Sequence, residues 1–172
     1  HALYFPVNAY PLFENGIRGH RKRSVREHQL ALGRLFSPFS KVAAANPHAW
    51  FPTFRTPEEI ATPSENNRYV GFPYTKYMNA IIQVDMAAAL VMTNVKTARE
   101  LGVPESKWVY LHGCADATDI WHVSERVNYY SSPAIRTMGQ KAFAMAGKTV
   151  ADLDFIDLYS CFPSAVEIGC AE

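Results

Sequence analysis

The fold can be decided from Asp154–Val166, which reads DFIDLYSCFPSAV. Phe155–Tyr159 is an apolar run ended by polar residues, and it predicts a short buried strand. Pro163 predicts the first turn of a following helix, because its fixed φ and missing N–H suit that position. A polar side chain at such a strand end points into the crevice where α/β proteins bind ligands. The helix start offers free amides and a partial positive charge to an oxyanion or a thiolate. Tyr159, Ser160 and Cys161 are therefore candidate site residues. The same pattern also fits Tyr159 and Cys161 as core residues and Ser160 as a helix cap, and physics alone favours this second reading.

Working outward, Asp152–Asp154 predicts a turn, and Ser132 or Pro133 opens a predicted helix through Ala146 with Gly147 as its C-cap. Lys107–Gly113 (KWVYLHG) predicts another strand. Asn94–Leu101 predicts a helix closed by Gly102, with Pro104 beyond. Asp85–Met92 is a compact apolar run without alternation and predicts a buried strand. Strands and helices alternating at this spacing indicate an α/β chain.

Nearer the N-terminus, Ser24-Val25-Arg26-Glu27 has the spacing of a capping box. Leu32, Leu35, Phe36, Phe39, Val42 and Ala43 recur at three and four residues, so an amphipathic helix is expected there. Pro38 should kink or split it, Asn46-Pro47 should end it, and His28 should lie on its exposed side. Residues 48–67 read as a long loop containing one capped turn at Thr56-Pro57-Glu58-Glu59. Tyr4–Gly19 is aromatic and broken by Pro6 and Pro11, with a short helix expected from Asn8. The basic run His20–Arg23 reads as a solvated turn.

The 172 residues are 48% apolar and can bury a core. Seventeen basic against sixteen acidic residues give a net charge of +1, which excludes a strongly basic nucleic-acid binder and an acidic tail. Aromatic residues at 13% argue against disorder. Three cysteines, Cys114, Cys161 and Cys170, stand far apart without a CxxC or Cys/His pattern, so no metal site is expected. Free thiols suit a reducing compartment, and a cytoplasmic location is expected. No apolar stretch is long enough to span a bilayer. The chain opens on His1 without an initiator Met and stops at Glu172 within a predicted helix, which reads as a piece of a longer chain.

Two segments together carry a resemblance, Asn79–Leu90 (NAIIQVDMAAAL) and Asp154–Val166. Asn79-Ala80-Ile81 precedes Asp85-Met86-Ala87-Ala88-Ala89, and Thr97–Gly102 follows. Pro133–Gly147 and Asp152–Asp154 come next, then Tyr159-Ser160-Cys161-Phe162. In this order and spacing the chain resembles the thiolase superfamily over nearly its whole length. There the corresponding pieces read N-A-S-x-x-x-D-G-A-A-A, a helix of the A-x-x-x-G kind, a proline-led helix ending A-G, an acidic turn, and N-E-A-F or H-D-C-F.

The resemblance implies a five-layer α/β/α/β/α fold of two similar halves, usually dimeric. Residues 1–75 would be the end of the loop region covering coenzyme A, 76–95 would hold the last strand of the first half, and 96–172 would open the second half. It implies an acetyl-CoA acetyltransferase type of activity in lipid and acyl-CoA metabolism, with acyl-CoA as substrate and no permanently bound cofactor. Tyr159 would stand where the family keeps an oxyanion donor, and Asn79, Ile81 and Ser160 would face coenzyme A. The attacking cysteine would lie before His1, and the histidine and second cysteine beyond Glu172. Ile81 replaces a serine, Met86 a glycine, and Tyr159 an Asn or His. These departures motivate an alternative, a non-catalytic thiolase-like subunit that binds acyl-CoA or scaffolds a partner.

Overall fold

The computed structural model describes residues 4–172. Helix α1 spans Pro6–His20 and α2 spans Val25–Ala44. A five-residue helix α3 (Pro57–Ala61) follows, then a hairpin of β1 (Tyr69–Gly71) and β2 (Tyr74–Thr75). Helices α4 (Val95–Glu100), α5 (Pro133–Ala146) and α6 (Pro163–Ala171) complete the chain. Among the described residues, no helix is long and apolar enough to cross a membrane.

The helix starts follow from local chemistry. Ser24 accepts from the Glu27 amide while the Glu27 carboxylate accepts from the Ser24 amide, closing the expected box. Thr56 and Glu59 do the same for α3. Such caps satisfy donors that the first helical turn leaves orphaned, each worth about 1 kcal/mol. Asn94 and Ser132 cap α4 and α5. Gly147 closes α5 at φ +62°, a left-handed position that disfavours a Cβ. Prolines stand at the first turns of α1, α3, α5 and α6.

The core lies where α1, α2, α3 and the hairpin meet the start of α6. Leu32, Ile60, Ala61, Tyr74, Met78 and Phe162 form it. The Phe162 ring stacks on Tyr10 at 4.5 Å and tilts against Tyr74 at 5.2 Å. Helices α2 and α3 cross at Gly33, where a Cβ would come within 2.2 Å of the Pro57 carbonyl oxygen. Asn67 fastens the loop after α3. Its Nδ2 donates to the carbonyls of Glu59, Ile60 and Thr62, and its Oδ1 accepts from the Tyr77 amide.

Several expectations need correction. Helix α1 runs for fifteen residues rather than a short stretch, and α2 continues through Pro38 unsplit. His28 is fully buried, not exposed, because the polar side of α2 is covered by α1 and α6. The runs Asp85–Met92, Lys107–Gly113 and Phe155–Tyr159 are not strands among the described residues, where the sheet is the two-stranded β1–β2 hairpin alone. A lone extended segment has neither ladder partners nor a face to bury. Their apolar side chains accordingly stand in solvent, with Val109 95% and Phe155 91% exposed.

Candidate functional site

The two segments singled out in the sequence meet in space. The Ala80 amide donates to the Cys161 carbonyl at 3.2 Å, joining the stretch after the hairpin to the turn before α6. Phe162, the next residue, is anchored in the core, so the turn has a fixed base.

Beside this junction lies a cavity of about 550 Å³. Phe36, Phe39 and Phe51 give it aromatic walls, Arg55 and Lys76 bring cations, and Asn79 and Ile81 line it as well. The Arg55 guanidinium lies 3.8 Å over the Tyr77 ring, and the Arg55 backbone is tied to α2 through Ser40 and Ser37. Asn79 donates its Nδ2 to the Thr75 carbonyl at 2.6 Å, and its buried Oδ1 has no partner among the described residues. That oxygen can accept a hydrogen bond from a ligand amide. An aromatic-walled cleft with a few convergent polar groups has the usual make-up of a small-molecule site.

Of the residues expected at a site, Asn79 and Ile81 share this cavity. Ser160 does not line it, and its hydroxyl donates to the Phe162 carbonyl at 3.3 Å. Tyr159 ends the extended segment with its side chain 79% exposed and without a hydrogen bond among the described residues. Cys161 is half-buried beside Tyr10. Burial, the Cys161 thiol and Tyr159 together push the Tyr10 hydroxyl up to about 12, against the pull of Arg126. Cys114 and Cys170 are exposed.

Arg55 and Lys76 were missed by sequence reasoning. Each is one cation among seventeen, and only the α2–α3 crossing and the hairpin bring them to one wall. A second hollow, of about 370 Å³, opens on another face of α2 between Arg21, Arg23, Arg34 and Glu167.

No protein-family model matches the chain, and no curated protein sequence does. Among solved structures it is similar to a monomeric SCP2-thiolase like protein type 1 from Mycobacterium smegmatis. The two share 44% sequence identity and superpose with a TM-score of 0.92 over 99% of this chain. The chain spans 37% of the length of that structure.

Proposed function

Because the chain belongs to the thiolase superfamily and has its α/β fold class, we propose that it forms the coenzyme-A-facing middle of a thiolase-like acyl-CoA enzyme. The observation that carries this is the Ala80–Cys161 hydrogen bond. It draws Asn79–Ile81 and Tyr159–Phe162 together beside the cavity. The aromatic walls suit the pantetheine arm, Arg55 and Lys76 suit a phosphate, and the free Asn79 Oδ1 suits an amide N–H.

The reaction would begin with a thiolate attacking the thioester carbonyl. Negative charge then gathers on the carbonyl oxygen, where the Tyr159 hydroxyl donates a hydrogen bond. The exposed position of Tyr159 leaves its hydroxyl free for that task. None of Cys114, Cys161 and Cys170 is assigned as the thiolate. Cys161 is engaged with Tyr10, and Cys170 lies at the far end of α6. The reaction class is acyl transfer, or making and breaking a carbon–carbon bond beside a thioester, in acyl-CoA metabolism. Residues 1–75 would serve as the cover over coenzyme A, 76–95 as the close of one thiolase half, and 96–172 as the opening of the other. The exposed runs near Leu90, Val109 and Phe155 would then pair with sheet strands of the complete fold. Free thiols suit a cytoplasmic location. The similar structure is of a protein described as monomeric, so a monomer is proposed in place of the dimer the family resemblance implied.

The second reading, acyl-CoA binding without turnover, is favoured by one observation. Ile81 stands 41% exposed in the cavity where the family resemblance calls for a serine. Calorimetric titration of the full protein with acetyl-CoA, alongside a thiolysis assay, tests both. Arg55→Ala should weaken binding by about tenfold or more, the loss of one charge-assisted contact. Binding without thiolysis selects the second reading. Equal affinity of wild type and Arg55→Ala would refute the cavity assignment.

A further inference from the structure

Three titratable side chains from three helices meet in the interior, away from the cavity described above. Glu14 of α1 and His28 of α2 are fully buried, and Glu167 of α6 is 7% exposed. His28 Nε2 lies 2.5 Å from Glu14 Oε1 and 4.0 Å from Glu167 Oε2. Arg21, just past α1, donates to Glu167 Oε1 at 2.7 Å. The other charged or titratable neighbours are Tyr74 of β2 and the hollow's Arg23 and Arg34. The Tyr74 hydroxyl is engaged with the Tyr10 carbonyl and with Ser164. Glu14 Oε2, His28 Nδ1 and Glu167 Oε2 are buried without a hydrogen-bond partner among the described residues.

Two carboxylates near one histidine in a dry interior repel each other with little screening, which favours a proton on Glu167. Beyond Arg21 on Glu167, a metal ion or a proton would relieve that repulsion. The geometry favours the proton. Ligands on one transition-metal ion stand about 3 Å or more apart, given bonds of about 2.0–2.2 Å, whereas His28 touches Glu14 directly and Arg21 already occupies Glu167.

We propose that Glu14, His28 and Glu167 form a proton-operated clamp that holds α6, and with it the Tyr159–Cys161 turn, against α1 and α2. The clamp is closed while Glu167 holds a proton and loosened when that proton leaves. Burial and the neighbouring Glu14 carboxylate push Glu167 up to about 7, while Arg21 and His28 pull it down. A carboxyl raised in the folded state stabilises the fold at low pH. That contribution is full below the ordinary carboxyl value near 4.5 and is lost as pH rises to the folded value, near 7. The clamp therefore opens on the alkaline side. It does not depend on the acyl-CoA reading, because its signature is in stability rather than turnover.

The test is thermal melting of the full protein from pH 4.5 to 9, in wild type and Glu167→Gln. The amide keeps the shape of a protonated carboxyl and cannot ionise. Wild type should lose several degrees of melting temperature between pH 4.5 and about 7, and Glu167→Gln should lose far less. In parallel, carboxyl NMR of wild type should show Glu167 titrating near pH 7, a readout that survives a variant that fails to fold. Parallel melting slopes for the two proteins, or a Glu167 midpoint below pH 5, would overturn the clamp. So would stoichiometric uptake of zinc or manganese abolished by His28→Gln, which would make the cluster a metal site.

Discussion

Replacing Gly33 with Ala tests the α2–α3 crossing, on which the cavity depends. In an open helix this change stabilises by about 1 kcal/mol through backbone propensity. Here the new Cβ would lie 2.2 Å from the Pro57 carbonyl oxygen, over 1 Å inside an ordinary contact. The obstacle is backbone, so no rotamer change relieves it, and α3 must move away from α2. That displaces Ile60 and Ala61 from the core and shifts Arg55, two residues before Pro57, at the cavity wall. Overpacking costs about 1–3 kcal/mol, and lost burial of Ile60 adds more. The net expectation is about 2 kcal/mol of destabilisation. For a chain of this size that is a fall in Tm of about 4–8 °C. Urea unfolding of the full protein followed by circular dichroism gives the value directly. A Gly33→Ala protein as stable as wild type, or more so, would refute the crossing.

Asn67→Ala should cost about 2–4 kcal/mol in the same urea assay, because it strands the carbonyls of a buried loop at once. Gly147→Ala should cost about 1 kcal/mol by forcing a Cβ into the left-handed C-cap of α5, read as a lowered midpoint with unchanged slope. Tyr159→Phe should leave Tm unchanged, since the ring is exposed and its hydroxyl has no partner among the described residues. If Tyr159 is the oxyanion donor, the same substitution should slow turnover of the full protein by about 10²–10³-fold. Unchanged turnover would remove it from the reaction centre.

What the sequence made legible was local. Ser24, Thr56, Asn94, Ser132, Pro163 and Gly147 mark helix ends through interactions spanning three or four residues, and each is found where expected. Strands are a different matter. Asp85–Met92 and Phe155–Tyr159 have the composition of strands, but pairing is supplied from elsewhere in space, and no described residue supplies it. The same limit explains His28. Periodicity placed it off the apolar stripe of α2, yet burial is decided by α1 and α6, which bring Glu14 and Glu167 to meet it. Of the candidate site residues, two meet at one place and two do not. Asn79 and Ile81 line one cavity, whereas Arg55 and Lys76 gave no local signal.

The Ala80–Cys161 hydrogen bond closes a loop of about eighty residues. Closure entropy grows only with the logarithm of loop length, about 0.6 kcal/mol for each doubling. Lengthening the intervening chain by half would thus cost only about 0.4 kcal/mol at the junction. Insertions into the exposed turns between these two residues, such as those after Gly102 and Gly147, should therefore leave the junction closed.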